Sequence, residues 1–160
     1  MKHRIGFGYD IHRLVKRRKL FLGGVQISYP KGLLGHSDAD VLIHALCDAL
    51  LGALSLGDIG EYFPDSDPRY HNIPSTELLK KTVALLRRKN WFISNIDIVV
   101  IAEEPKLLPY RERIIKSIAS TLKIKEGFVS LKGKTNEGLG PIGKKQAIAS
   151  YAVVLLHRGV

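Results

Sequence analysis

An aspartate and a histidine stand two residues apart, Asp10 and His12, at the end of an alternating segment, RIGFGYDIH. In a strand, residues i and i+2 project from the same face, so this carboxylate and imidazole can share one metal ion. His44 lies in an apolar run, VLIHALCDALLGALSL, one helical turn after Asp40 and one turn before Asp48. Those two carboxylates are candidate hydrogen-bond partners that would set the tautomer of His44. One Asp and two His with an open fourth position make a catalytic-type zinc arrangement, because a closed structural site uses four protein ligands.

Each feature also has a plainer explanation. A D-x-H pair occurs in ordinary strands. A histidine on an apolar helix is commonly a hydrogen-bonded core residue, although a buried polar group still needs its partner. His36, just before Ser37 and Asp38, is either a loop residue near a helix cap or an anion donor where backbone N–H groups point outward. Asp58, Asp65 and Asp67 are either site residues or turn residues in a solvated loop. Spacing alone leaves these readings open.

The elements that must position these groups are legible in outline. Ile5, Phe7 and Tyr9 alternate with Gly6 and Gly8, a strand with one bulky face and one bare face. Bare glycine positions let another backbone or a ligand come close. A basic turn at 16–19 leads to a second strand over 20–27, with a bulge or bend expected at Gly23-Gly24. Ser37 is the expected N-cap, with Asp40 three residues on, of a helix beginning VLIH. That helix is apolar on nearly every side and should be buried. Residues 56–75 read as a long turn-rich loop, a length that in a compact domain is usually functional or mobile. Thr76–Arg88 reads as a helix, 96–103 as a strand, and 105–122 as turn signals running into a helix. Residues 128–135 alternate as a strand, and 136–143 form a glycine-rich loop. The apolar segment 146–156 reads as a buried strand, with helix as the alternative. The order β-β-α-α-β-α-β-β indicates an α+β fold, a single two-layer domain over 1–160 with a mainly four-stranded mixed sheet covered by helices.

Composition narrows the function classes. The chain has 160 residues, 45% of them hydrophobic, and a mean hydropathy of +0.01, which excludes a mainly disordered chain. Cys47 is the lone cysteine, so an intramolecular disulfide framework and a four-cysteine zinc site are excluded. No apolar run reaches the ~18 residues of a membrane span, and the N-terminal residues resemble no leader, so a cytoplasmic protein, or one already processed, is expected. The net charge of +10 points to nucleic acid or to small anionic substrates. It is unevenly spread: residues 1–70 carry nine basic and eight acidic side chains, and residues 71–160 carry sixteen and seven.

Taken together, RIGFGYDIHRL, LGGVQI, KGLLGHSDADVLIHALCDALLGALSLGDIGEYFPDSDP, IAEEPKLLP and LKGKTNEGLG resemble one family closely, the 2-C-methyl-D-erythritol 2,4-cyclodiphosphate synthases of the non-mevalonate isoprenoid pathway. The resemblance covers essentially the whole chain in order. It implies that Asp10, His12 and His44 match zinc ligands, with a substrate phosphate as the fourth. Glu137 matches the contact of a second divalent ion, Mg2+ or Mn2+. The implied reaction is attack of the 2-phosphate of 4-diphosphocytidyl-2-C-methyl-D-erythritol 2-phosphate on the β-phosphorus, giving the cyclic diphosphate and CMP. The nucleophile is already a phosphate oxygen, so the task is one of proximity and charge.

His36 and Thr135 match the residues that stabilise the transition state. Asp58 and Gly60 match contacts to the methylerythritol hydroxyls. Ser37 and Ile59 belong to the same side, with Asp10 and His12, and the loop Phe63, Pro64, Asp65, Ser66 and Asp67 closes over it. The cytidine end falls on Ala102, Glu103, Glu104, Pro105 and Lys106, continuing through Leu107 and Leu108. Lys134, Thr135, Asn136 and Glu137 lie by the nucleotide phosphates. The family arrangement further implies a homotrimer built around the sheets, with each active site between neighbouring subunits.

Three positions depart from the family pattern. Lys134 replaces a small hydroxyl residue and adds a cation near the phosphates. Pro141 and Lys144 stand where the family often has an aromatic residue and an arginine, lining an axial cavity for a prenyl diphosphate; a lysine there lacks the bidentate fork of arginine. Two other function classes compete. A basic nucleic-acid-binding domain with a structural metal fits the charge, but the cations are scattered and no recognition motif or aromatic platform accompanies them. A metal-dependent phosphohydrolase could use the same Asp/His/His set with water as nucleophile. A non-catalytic trimeric scaffold leaves the ligand set without a purpose.

Overall fold

Two glycines on one strand decide how the layers meet. In the computed structural model, which describes residues 2–64 and 66–159, β1 (His3–Lys16) is a long strand of alternating faces. Gly6, Gly8, Asp10 and His12 point to one face, and Ile5, Phe7, Tyr9 and Ile11 to the other. A β-carbon at Gly6 would lie 1.8 Å from the carbonyl oxygen of Ala49, and one at Gly8 would lie 1.9 Å from that of Ala45. The bare face is therefore the one against which a helix packs backbone to backbone.

Next come β2 (Leu20–Leu22) and β3 (Val25–Ile27), which pair antiparallel as a separate hairpin. The sequence reading of 20–27 as one strand is corrected here. Gly23 and Gly24 have φ of 61° and 77°, the turn geometry that folds a two-residue hairpin rather than a bulge. β4 (Lys31–Leu33) follows and pairs with the end of β1.

α1 (Val41–Ala53) has ten buried residues, as its all-round apolar sequence requires. Its N-cap is Asp40, which accepts from the N–H of Ile43, and not Ser37 as expected. The Ser37 hydroxyl instead accepts from the N–H of Ala39 at 3.0 Å. The long loop that follows carries α2 (Ile59–Tyr62) and a 3-10 turn at Pro68–Tyr70. α3 (Ser75–Arg88) buries Leu78, Leu79, Val83 and Leu86.

β5 (Trp91–Ile101) starts five residues before the alternation suggested. α4 (Arg111–Leu122), β6 (Val129–Lys134), a short α5 (Gly140–Gly143) and β7 (Ala147–Arg158) complete the order. The last apolar segment is a strand, bonded antiparallel to both β1 and β5. The main sheet has five strands in the order β4-β1-β7-β5-β6, one more than the four expected, because three residues of the 31–33 stretch add an edge. It is mixed, since β5 and β6 run parallel.

The helices lie on one face and bury the core there. On the other face Ile5, Phe7, Tyr9, Ile11, Tyr151 and Val153 are exposed, Ile5 to 72% and Phe7 to 61%. Tyr9 and Tyr151 pack ring to ring at 4.8 Å. One cross-strand row runs Ile11, Ala149, Ile101, Lys134. At normal strand spacing its ends are about 14 Å apart.

Candidate active site

Asp10 and His12 come from the bare face of β1, and His44 from the α1 turn that lies against it. Three ligand atoms converge. Asp10 Oδ2 is 2.9 Å from His12 Nε2 and 3.1 Å from His44 Nδ1, and the two imidazole nitrogens are 3.1 Å apart. The edge of a zinc coordination tetrahedron is about 3.4 Å for bond lengths near 2.1 Å, so the triangle is slightly tighter than, and close to, the size that a small divalent ion needs. Among the described residues this is the one cluster of three metal-ligating side chains.

The proton arrangement fits as well. His12 Nδ1 is 2.9 Å from the carbonyl oxygen of Leu34. A carbonyl only accepts, so Nδ1 carries the hydrogen and Nε2 turns its lone pair to the centre. His44 Nε2 faces the hydroxyls of Ser75 at 3.0 Å and Ser37 at 3.2 Å, leaving Nδ1 for the centre. Asp10 Oδ1 is occupied by the N–H of Ile11 at 2.8 Å.

Burial disfavours the ionised form of Asp10, but the close approach of the His12 and His44 imidazoles, and the positive charge they carry when protonated, outweigh it and hold the carboxyl well below its ordinary range. Burial pushes His44 the other way too; its bond to Asp10 and the charges of Asp10, Asp40 and Asp38 prevail and raise its pKa. The site thus stabilises positive charge at its centre.

Asp40 and Asp48, the expected partners of His44, are engaged elsewhere. Asp40 is fully buried and accepts from the N–H groups of Gly23 at 2.9 Å, Gly24 at 2.7 Å and Ile43 at 3.2 Å. Burial, with the nearby charge of Asp38, raises its pKa to about 6 against the pull of those three N–H groups. Asp48 accepts from the N–H of Ile59 at 2.8 Å. Each carboxylate meets backbone N–H groups of another segment, the Gly23-Gly24 turn for Asp40 and the start of α2 for Asp48, which sequence spacing could not show.

The triangle opens into a cavity of about 360 Å³ lined also by Gly35, His36, Ser37, Asp48, Ile59, Gly60, Phe63, Pro64, Tyr70 and Leu78. His36 is exposed at its rim, its ring edge-on to His71 at 4.9 Å. It is not at the start of α1, whose cap is acidic. The 36–38 loop is tied down by Arg18, which donates to the carbonyl of Ser37 at 2.9 Å. It is also bonded to the far end of the long loop, Asn72 N–H to His36 O and Asp38 N–H to Ile73 O.

Asp58 does not line this cavity; it caps α2 by accepting from Glu61. Ser66 and Asp67 also lie off it, and Asp67 pairs with Arg69 at 2.6 Å. Asp65 lies outside the described residues. Tyr70, Leu78 and Gly35 were not singled out from the sequence. Leu78 belongs to the apolar stripe of α3 and gave no sign of facing a cavity.

A second cavity, of about 570 Å³, holds most of the other expected residues: Ala102, Glu103, Pro105, Lys106, Leu107, Leu108, Lys134 and Thr135. Arg111 and Lys132 are additional cationic lining residues there. Three expected neighbours lie off it. Glu104 pairs with Lys145 at 2.6 Å. Asn136 donates its N–H to Glu103 at 3.1 Å. Exposed Glu137 accepts from the Thr135 hydroxyl at 3.1 Å. Pro141 lies in α5 and Lys144 caps it, outside both cavities. Among the described residues the two cavities share none, and they sit toward opposite flanks of the sheet.

Comparison with known proteins gives a consistent result. The family described as YgbB matches residues 3–157. A 2-C-methyl-D-erythritol 2,4-cyclodiphosphate synthase of Thermosynechococcus vestitus is 56% identical over 160 residues, spanning 100% of this chain and 99% of that protein. The bifunctional IspDF of Campylobacter jejuni superposes with a TM-score of 0.95 and 43% identity, covering 98% of this chain and 42% of that one. IspF of Plasmodium falciparum, solved as a CDP complex, gives 0.87 and 42%, covering 99% and 98%.

Proposed function

The chain belongs to the YgbB family, and on that premise we propose that it is a cyclodiphosphate synthase of the non-mevalonate pathway. It converts 4-diphosphocytidyl-2-C-methyl-D-erythritol 2-phosphate to 2-C-methyl-D-erythritol 2,4-cyclodiphosphate and CMP. A bond forms between a 2-phosphate oxygen and the β-phosphorus. The bond from that phosphorus to the bridging oxygen breaks, and CMP carries the oxygen away. This makes it a phosphorus–oxygen lyase, working as one domain in the cytoplasm.

The observation that carries the reading is the triangle of Asp10, His12 and His44 opening into a cavity of about 360 Å³. These residues would hold Zn2+, and Glu137 would hold a second divalent ion, Mg2+ or Mn2+. Bound there, such ions supply Lewis acidity that offsets repulsion between phosphates. The chain's own residues do the rest. Ile59, Gly60, Phe63 and Pro64 seat the methylerythritol carbons and exclude water. Asp58 sits one residue from that wall and, as an ionised acceptor, suits a sugar hydroxyl. His36 at the rim and Thr135 donate to phosphoryl oxygens as charge develops. Lys106, Arg111 and Lys134 make the second cavity cationic, suited to the cytidine diphosphate.

A single substrate must touch both cavities, yet each chain keeps them on separate flanks. A homotrimer in which one subunit's metal cavity faces its neighbour's second cavity joins them. The exposed apolar sheet face, unusual for a lone soluble chain, supplies a surface for that assembly. The test is incubation with the diphosphocytidyl substrate, Mg2+ and Zn2+, with products identified by phosphorus NMR. CMP and cyclic diphosphate are expected. A linear phosphate product would mean a phosphohydrolase, and no product under several metal conditions would sink the assignment. His44→Ala should abolish both zinc retention and turnover.

A further inference from the structure

Behind His44, away from the metal triangle, runs a chain of hydrogen bonds that has only one direction. Asp38 accepts at Oδ2 from the Ser75 N–H at 3.1 Å, and at Oδ1 from the Ser75 hydroxyl and from the Asp40 N–H at 3.2 Å. An ionised carboxylate cannot donate, so the Ser75 hydroxyl hydrogen points at Asp38. The Ser75 oxygen is then left as an acceptor, facing His44 Nε2 at 3.0 Å and, farther off, the Ser37 hydroxyl at 3.4 Å. Nε2 must carry the ring hydrogen, and Nδ1 must present its lone pair to Asp10 and His12. Ser75 is fully buried, so water does not substitute for it. Its neighbour Ser37, also buried, offers a weaker second acceptor at 3.2 Å and already accepts from Ala39.

We infer that Ser75 and Asp38 are positioning residues that set the tautomer and ring orientation of His44 for metal binding. This rests on the metal reading above and extends it to two residues outside the ligand set. The two come from different segments: Asp38 from the loop before α1, and Ser75 from the first turn of α3, where the long loop ends. Metal affinity is thereby tied to the junction between these segments. Partners of this kind typically contribute 10- to 100-fold in affinity.

The experiment is a zinc competition titration against a chromogenic chelator, on metal-free full-length protein, with thermal unfolding as the check on folding. Ser75→Ala should weaken zinc about tenfold or more, the lower bound reflecting the acceptor left at Ser37. Ser75→Thr, which keeps the hydroxyl, should return affinity to within about threefold of the unaltered protein. Co2+ bound to Ser75→Ala should show shifted and weaker visible bands, the sign of a disordered ligand. Should Ser75→Ala fail to fold, Asp38→Asn decides on the same scale, with a loss of about fivefold or more expected. A folded variant that binds zinc within about twofold of the unaltered protein overturns the inference. If the unaltered protein itself fails to bind zinc, the metal reading falls first and this inference falls with it.

Discussion

Gly8 and Ala45 touch through their backbones: a β-carbon on Gly8 would sit 1.9 Å from the Ala45 carbonyl oxygen. Asp10 and His12 follow Gly8 on the same strand face, and His44 precedes Ala45 on the helix. The contact therefore sets the separation between the two elements that bring the metal ligands together. Gly8→Ala forces α1 outward, because no rotamer can relieve a clash with backbone. The expected cost is about 3 kcal/mol, at the upper end of overpacking penalties, accompanied by weakened zinc retention. Urea unfolding and metal analysis after dialysis check both.

Asp40→Asn tests the cap of α1 and its tie to the β2–β3 hairpin. Three N–H donors aim at this carboxylate. An amide must turn its NH2 toward one of them, leaving a buried donor unpaired at a cost of about 2 kcal/mol. The midpoint of urea unfolding at neutral pH should fall accordingly, and an unchanged midpoint would refute the role given to these bonds.

Burial pushes the Cys47 thiol up to about 12, with a bond to Thr82 only partly opposing it. In the unfolded chain the thiol ionises near its ordinary value of 9.0. The folded state therefore holds a proton that the unfolded state releases between about pH 9 and 12. Its contribution to stability is fully present below pH 9 and is lost as pH rises through that window. Cys47→Ala should flatten this alkaline loss relative to the unaltered protein. A thiol reagent at pH 8 should label Cys47 only as fast as the protein unfolds.

Lys134 stands exposed at the end of β6, on the wall of the second cavity. Lys134→Thr should raise KM for the diphosphocytidyl substrate several-fold with little change in kcat, and should flatten the dependence of KM on salt. Steady-state kinetics at two ionic strengths read this directly. Constants and salt dependence that do not move would make the lysine ordinary surface charge.

Much of this molecule was legible before its structure. The alternation through Asp10 and His12 placed two ligands on one face, and the bare glycines announced a close neighbour. His44 could be put on a buried helix because nothing else in that run was polar on the same turn except carboxylates. What stayed hidden were contacts made across the chain. Asp40 looks like a partner for His44 by helical spacing, yet it turns to Gly23 and Gly24, which arrive from a hairpin sixteen and seventeen residues earlier. Ser75 gives no sign in sequence of facing a histidine thirty-one residues before it. The 20–27 stretch reads as one strand because its apolar residues continue through the turn, and only the positive φ of both glycines splits it.

The separation of the two cavities has a consequence at the level of inheritance. In the trimer proposed above, each working centre draws one cavity from each of two chains. A His44→Ala chain and a Thr135→Ala chain would each be inactive alone, yet each carries intact the part the other has lost. Mixed assemblies rebuild some centres from two sound halves while concentrating both lesions in others. Two null alleles of one gene, expressed together, would then restore growth that neither supports by itself.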